Sequence, residues 1–152
     1  GDMSKESFLK ASRTHGRDHA RTPILWEDSP FAGFSKAEPW IKVSEDYPEI
    51  NVQKSIGDKN SVFNFYKKLM ELRKENLCWV YGQTEVLKDL KAPLYGYYRK
   101  DGDGIFLILL NFSAHTQNIE LNVDQADLII SNYDQLENPN VMRAWESRVF
   151  KY

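Results

Sequence analysis

Polar side chains suited to binding are concentrated near the start of the chain. The segment contains Arg13, His15, Arg17, Asp18, His19, Arg21 and Thr22. The guanidinium of arginine is a planar fork of N–H donors that suits carboxylates and sugar hydroxyls. Because charged clusters are usually solvated, composition alone favours an ion-paired surface loop. The alternative is a binding loop, which the apolar residues from Pro23 to Trp26 would anchor.

Metal chemistry has weak support in this sequence. His15 and His19 would share one face of a helix, but Gly16 between them disfavours a helix and no cysteine lies nearby. Asp101 and Asp103 lack the glutamate that would close a calcium loop. We therefore predict no metal site.

Nucleophilic and cofactor chemistry has no better support. No serine lies in a nucleophile elbow, and Cys78 has no histidine beside it in the sequence. The chain also lacks a phosphate-binding glycine loop. We predict no cofactor, no catalytic nucleophile and a structural role for His115.

Aromatic residues on predicted strands offer a different chemistry. They are Trp79, Tyr81, Tyr95, Tyr97 and Tyr98. Such rings could stack on sugars, but on strands they more often fill a core or its lid. A free-standing sugar platform is therefore the minor alternative.

The composition excludes several classes of partner. The 152 residues include 20 basic and 22 acidic residues, so the formal charge of −2 gives no general attraction to nucleic acid or an anionic membrane. The longest apolar run, 105–110, is far shorter than the roughly 20 residues that span a bilayer. A single cysteine cannot form an internal disulfide, which is compatible with the cytoplasm. We expect a cytoplasmic protein that binds neither nucleic acid nor membrane.

The elements that must position these residues fall into three stretches. Residues 1 to about 58 lack sustained periodicity and contain four of the six prolines, yet they carry many large apolar groups. We interpret this stretch as an ordered loop that packs against another surface. Within it, 4–12 is predicted to form a short helix with Ser4 as a possible cap.

The second stretch, 60–76, has the clearest helical spacing. Its apolar line is Val62, Phe65, Tyr66, Leu69 and Leu72. Phe63 and Met70 form a second line, so this helix should contact more than one neighbour. Asp58 or Asn60 is the predicted cap.

The third stretch, from residue 78 onward, has a β pattern. The candidate strands are 78–81, 84–90, 94–100, 105–112, 116–121, 127–131, 140–144 and 147–151. Between two of them, 101–104 reads Asp-Gly-Asp-Gly, which is typical of a hairpin turn. Short strands at this spacing predict an antiparallel β-sandwich, so the fold class is mainly β.

Several motifs resemble one enzyme family. The segment from Gly16 to Pro23, followed by Trp26, is similar to a loop in the α-glucosidase branch of glycoside hydrolase family thirteen, of the oligo-1,6-glucosidase and dextran glucosidase type. Further matches are Ser29-Pro30-x-Ala32-Gly33-Phe34, Glu38-Pro39-Trp40-Ile41, Glu49-Ile50-Asn51-Val52, 61–69 and Val80-Tyr81-Gly82. The resemblance covers nearly the whole chain and becomes looser after Gly82.

This resemblance implies a partial enzyme. The family fold is a (β/α)8 barrel followed by an antiparallel β domain, and a barrel needs about 250 residues. The chain is therefore similar to the C-terminal portion only. Residues 1–58 would be the loop left over from the barrel after its last strand, 59–77 the last barrel helix, and 78–152 the C-terminal antiparallel β domain. The missing barrel domain would be its partner.

The resemblance also implies chemistry. Family members of this type hydrolyse short α-1,6-linked glucosides with retention, using one carboxylate as nucleophile and another as acid and base. The motifs that carry these carboxylates do not occur in this sequence. We therefore expect no catalytic residue here and no activity of the chain alone.

The family pattern assigns a substrate-binding role to the arginine loop. It implies that Arg21 pairs with a barrel acid and holds the terminal glucose of the oligosaccharide, with Arg17 and Asp18 in support. The family usually has Met-Gln where this chain has Ile24-Leu25.

Two other functions remain open. The β domain could be a stand-alone carbohydrate-binding module. The chain could also be a structural fragment that self-associates, through the helix with Phe63 and Met70 or through the loop at Trp26 and Phe31, because soluble proteins rarely leave large apolar patches uncovered.

Overall fold

The computed structural model describes residues 4–102, 104–123 and 125–152, with His19 described by its backbone only. It divides into two compact units, Gly1–Tyr66 and Lys67–Tyr152. In the described ranges, no helix is both long enough and apolar enough to cross a membrane.

The first unit contains short helices separated by irregular chain. Helix α1 is Lys5–His15, and Ser4 caps it as predicted, accepting a hydrogen bond from the Ser7 N–H at 3.2 Å. Helix α2 is Val52–Gly57 and was not predicted. Asn51 caps its start, since the Asn51 side chain accepts from the Lys54 N–H and donates to the Tyr47 carbonyl, both at 2.8 Å. Six residues are too few for a periodic apolar pattern to appear in the sequence.

Helix α3, Val62–Glu75, confirms the helix predicted over 60–76. Its cap differs from the prediction. Ser61 accepts a hydrogen bond from the Asn64 N–H at 3.1 Å, whereas Asp58 instead accepts from the Asn60 N–H at 2.9 Å. The structure therefore places the cap directly before the first helical residue.

The strand predicted over 78–81 is wrong, because these residues form the short helix α4, Cys78–Tyr81. An apolar run of four residues fits a strand or a buried helical turn equally well. Here two arginines satisfy carbonyls of the helix. Arg73 donates to the Trp79 carbonyl at 3.0 Å, and Arg99 donates to the Val80 carbonyl at 3.2 Å.

A five-stranded antiparallel sheet forms most of the second unit. Its strands are β1 (Gln83–Val86), β2 (Leu94–Lys100), β3 (Ile105–Asn111), β5 (Asp127–Ser131) and β7 (Ser147–Lys151). Their order in the sheet is β1-β2-β3-β7-β5. The predicted hairpin joins β2 to β3, with Lys100 opposite Ile105 and the Gly104 N–H donating to the Asp101 carboxylate at 3.0 Å. Asp103 of that turn lies outside the described residues.

A second sheet covers one face of the first. It pairs β4 (Gln117–Asn118) with β6 (Val141–Met142), both shorter than the predicted strands. The core between the layers contains Leu107, Leu109, Ile119, Val123, Met142 and Phe150. The two layers confirm the prediction of a mainly β, antiparallel sandwich preceded by a helix and an irregular segment.

Candidate functional site

The arginine segment forms an exposed turn directly after α1. A short 3-10 helix, Asp18–Ala20, lies between Arg17 and Arg21. The Ala20 N–H donates to the Arg17 carbonyl and the Arg21 N–H donates to the Asp18 carbonyl, both at 3.0 Å. Arg17, Asp18 and Arg21 are all exposed. Among the described residues, none of these three side chains makes a hydrogen bond or an ion pair. Their charges are therefore available to a ligand or another surface.

Helix α2 anchors the chain that follows this turn. Pro23 is buried. The Leu25 carbonyl accepts from the Val52 N–H at 2.8 Å, and the Trp26 carbonyl accepts from the Gln53 N–H at 3.0 Å. These N–H groups belong to the first turn of α2, where they have no partner within the helix. Carbonyls of the irregular segment thus pair with free N–H groups at the start of α2, and these hydrogen bonds hold the segment in place.

The next turn, Pro30–Gly33, has a strained backbone. Phe31 and Ala32 have φ values of 54° and 55°, and Gly33 follows at 67°. The Trp26 N–H donates to the Ala32 carbonyl at 2.9 Å, and the Ala32 N–H donates to the Ser29 carbonyl at 2.8 Å. Left-handed residues other than glycine persist only where the surroundings hold them, and they are common at functional sites.

An open cavity of about 590 Å³ lies beside this turn. Its lining consists of Ser29, Pro30, Phe31, Gly33, Phe34, Ser35 and Lys36. The lining mixes aromatic faces with hydroxyl groups and one ammonium.

Of the four residues considered for a metal site, the structure describes the side chains of His15 and Asp101 only. The His15 Nδ1 and the Thr14 hydroxyl form a hydrogen bond at 2.8 Å. The His19 side chain lies outside the described residues. The Asp101 carboxylate accepts a hydrogen bond from the Gly104 N–H within the hairpin turn. Across the described ranges, no three His, Cys, Asp or Glu side chains form a group able to hold a metal ion.

The five aromatic residues of the alternative platform do not form one surface. Trp79 packs edge-on against Phe106, with ring centroids 5.6 Å apart. Tyr95 and Tyr97 lie on one face of β2 with centroids 5.8 Å apart, whereas Tyr98 packs against the core on the other face. Side chains alternate along a strand, so neighbouring positions cannot share a stacking surface.

One buried charged cluster is not indicated by any pattern in the sequence. Glu146 and Arg148 are both buried. The Glu146 carboxylate accepts from the Arg148 Nε at 2.9 Å, the Arg143 Nη2 at 3.0 Å and the Arg143 N–H at 2.6 Å. Burial raises the pKa of Glu146, but the hydrogen bonds from Arg143 and Arg148 outweigh it and leave the pKa below its usual value. The cluster stabilises the turn before β7.

Comparison with known proteins identifies the class to which these features belong. A family profile described as "Alpha amylase, catalytic domain" matches residues 2–82, and one described as "Beta-galactosidase C-terminal domain" matches residues 97–151. Both profiles describe parts of glycosidases. The chain belongs to the α-amylase family, glycoside hydrolase family thirteen.

Named relatives agree with this assignment. The chain is 40% identical to the oligo-1,6-glucosidase of Bacillus cereus, covering 96% of this chain and 27% of that protein. It is 36% identical to the glucan 1,6-alpha-glucosidase of Streptococcus pneumoniae serotype 4, with 93% and 27% covered. The chain therefore spans about a quarter of the length of these relatives.

Solved structures show the same fold over almost all of the chain. The isomaltulose synthase of Klebsiella sp. LX3 superposes with a TM-score of 0.87 at 30% identity, covering 98% of this chain and 28% of that one. The trehalose-6-phosphate hydrolase of Bacillus licheniformis gives a TM-score of 0.86 at 30% identity, again with 98% and 28% covered.

Proposed function

We propose that the chain is the C-terminal portion of a retaining α-glucosidase that hydrolyses short α-1,6-linked glucosides. The observation that carries this proposal is the 40% identity with an oligo-1,6-glucosidase over 96% of the chain. The resemblance of the segment from Gly16 to Pro23 supports the same assignment, because its arginines are suited to binding carboxylates and sugar hydroxyls.

The proposal divides the chain into three parts. Residues 1–58 are the loop after the last barrel strand, 59–77 the last barrel helix, and 78–152 the C-terminal antiparallel β domain. The match of the catalytic-domain profile to residues 2–82 supports a barrel origin for the first two parts. The partner of the chain is then the barrel domain, with the oligosaccharide bound between barrel loops.

Arg21 is the proposed substrate-binding residue, with Arg17 and Asp18 in support. Its exposed guanidinium has no carboxylate partner among the described residues. A charge-assisted pair with a barrel acid would fix the fork of N–H donors against the terminal glucose. Such a pair would compensate the Arg21 charge, which no carboxylate among the described residues does.

The test of this role joins the barrel portion of the Bacillus cereus relative ahead of this chain. Arg21→Ala in that protein should lower kcat/KM for isomaltose roughly hundredfold, since a misplaced glucose loses its alignment with the catalytic carboxylates. Arg13→Ala, which removes an exposed arginine from α1, is the matched control and should leave kcat/KM unchanged. Equal activity of the Arg21→Ala and Arg13→Ala proteins would contradict the assignment.

The chain by itself is proposed to be inactive, because the carboxylate motifs of the family do not occur in its sequence. Loss of a single catalytic group already removes most of the activity of an enzyme. Release of p-nitrophenol from p-nitrophenyl α-glucoside should stay at the blank rate. Turnover above the blank would refute this part of the proposal.

Self-association is a second candidate property, favoured by the surface of α3. Val62, Tyr66 and Met70 follow one another at intervals of four residues, so they line one face of the helix. Val62 is 84% exposed and Tyr66 is 62% exposed. We propose that the barrel covers this face in the complete enzyme and that, in its absence, two copies of the chain pair through it.

A further inference from the structure

An exposed tryptophan occupies a strained turn in the second unit. Trp145 is 60% exposed, although the next residue, Glu146, is buried. The backbone of Trp145 has a φ of 55°, in the left-handed region that a bulky residue rarely adopts. Such a conformation persists only where surrounding contacts impose it, and it is a reason to look for function.

Specific hydrogen bonds impose this conformation. The Trp145 N–H donates to the Ser113 carbonyl at 2.9 Å, and the Trp145 carbonyl accepts from the Asn132 side chain at 2.9 Å. The same Asn132 side chain accepts from the Ser147 N–H at 2.8 Å. The indole is therefore presented to solvent from a turn that is fixed on both sides.

A second exposed ring stands on the adjoining turn. Phe112 is 61% exposed and directly follows the buried Asn111. The Asn111 side chain donates to the carbonyls of His115 and Arg143, both at 2.8 Å, and its N–H donates to the Glu146 carbonyl at 2.9 Å. These bonds cross-link the two turns, so Phe112 and Trp145 are held at the same end of the second unit.

A neighbouring aromatic residue, Tyr133, has a structural role in this region. The Tyr133 hydroxyl donates to the Ala144 carbonyl at 2.8 Å, and the Arg143 guanidinium lies 4.0 Å from the centroid of the Tyr133 ring. In the described part of the chain, the rings of Phe112 and Trp145 take part in no aromatic or cation–π pair. Tyr133 stabilises the turn, whereas the other two rings are left available.

We propose that Trp145 and Phe112 form an accessory platform that binds a glucan chain outside the catalytic site. The flat faces of aromatic rings pack against the C–H faces of pyranose rings, and tryptophan loses little side-chain entropy when it does so. A turn fixed in advance further reduces the cost of ordering on binding. The choice of a glucan as ligand rests on the proposed function.

The experiment uses the whole 152-residue chain in native gels that contain soluble dextran. Dextran should retard the chain, and Trp145→Gly should weaken the interaction at least about tenfold, as expected for the loss of one stacked ring. Glycine adopts a φ of 55° without strain, so this variant removes the ring and keeps the turn. A melting temperature as high as that of the native chain would verify that it folds.

Matched variants separate the platform from other surfaces. Trp145→Tyr should retain binding, and Tyr81→Ala, which removes an exposed ring from α4, should leave it unchanged. Arg13→Ala, on α1, should also leave dextran binding unchanged. Dextran binding is measured on the chain alone, whereas the role of Arg21 is measured by isomaltose hydrolysis in the protein joined to a barrel. The two proposals can therefore fail independently.

The proposed platform would be overturned by failure of either of two comparisons. One failure is equal retardation of the native chain and Trp145→Gly, or no retardation of either. The other is loss of dextran binding when the barrel portion is joined to the chain, because the rings would then be covered by the barrel.

Discussion

The turn Pro30–Gly33, near the candidate substrate-binding loop, requires a residue without a side chain at Gly33. Its φ of 67° disfavours any other residue, and an added Cβ would lie 2.8 Å from the Glu27 Cγ. Glu27 cannot easily move away, since its carboxylate accepts a hydrogen bond from the Ser29 hydroxyl at 3.0 Å. Backbone strain and the close contact with Glu27 would therefore both destabilise a variant that has a side chain at Gly33.

Gly33→Ala should accordingly destabilise the first unit by about 1–2 kcal/mol. Gly57→Ala is the control, because a Cβ there meets no atom within 4 Å. Urea unfolding followed by circular dichroism measures both variants. Equal stability of the two would show that the turn is not strained.

Glu146 is the residue on which the buried charges of the second unit converge. Removing one partner of a buried, hydrogen-bonded ion pair leaves the other charge uncompensated. Glu146→Gln should therefore lower the free energy of unfolding by roughly 3 kcal/mol at neutral pH. Glu137→Gln, which alters the exposed partner of Arg143, should cost less than about 1 kcal/mol.

The pH dependence of stability gives a second test of this cluster. The pKa of Glu146 in the folded chain lies below its ordinary value near 4.5. A lowered pKa contributes stability above the unfolded-state value, and this contribution is lost as the pH falls through the folded-state value. The difference between the native chain and Glu146→Gln should thus shrink below pH 4.5, and a constant difference would exclude the carboxylate as its source.

At the scale of elements, one asparagine joins α2 to α3. The Asn64 side chain donates to the carbonyls of Ser55 and Ile56 at 3.1 Å and of Asp58 at 2.8 Å. Ser61 reinforces the junction by donating to the Ser55 carbonyl at 2.6 Å. These bonds satisfy carbonyls at the end of α2 that the helix itself cannot pair.

Asn64→Asp should loosen this junction, because a carboxylate has nearly the same shape but no N–H to donate. We expect a loss of about 1–3 kcal/mol and faster hydrogen exchange of the α2 amides. Asn60→Asp, at an exposed position before α3, is the control. Unchanged exchange in Asn64→Asp would show that α2 is held by other contacts.

At the scale of the whole molecule, the exposed face of α3 predicts the oligomeric state of the chain. The formal charge is only −2, so electrostatic repulsion between copies is weak. Val62→Lys combined with Tyr66→Lys should shift the chain from dimer to monomer in multi-angle light scattering, since two charges would be buried in the contact. Lys68→Glu, on the polar face of α3, is the control.

The effect of salt shows whether apolar contact or ion pairing causes the two copies to associate. A contact between apolar faces should persist at about 1 M salt, where exposed ion pairs are screened. A strict monomer at high protein concentration, or dissociation in salt, would contradict pairing through α3.

Local patterns in the sequence were enough to predict the elements that depend on a few neighbouring residues. The spacing of apolar residues identified α3, and the Asp-Gly pairs identified the hairpin between β2 and β3, because periodicity and turn chemistry act within a few residues. The arginine loop was recognised from residue types in a short segment. Its role could be inferred only from the family that it resembles.

Other features depend on partners that are distant in the sequence, and they become apparent in the folded chain. Residues 78–81 form a helix because Arg73 and Arg99 satisfy its carbonyls, and no pattern within the four residues contains that information. Trp145 is exposed and left-handed because Ser113 and Asn132 bind its backbone from other parts of the chain. Hydrogen bonds over long sequence separations are made only when the chain is folded, so a local pattern cannot reveal them.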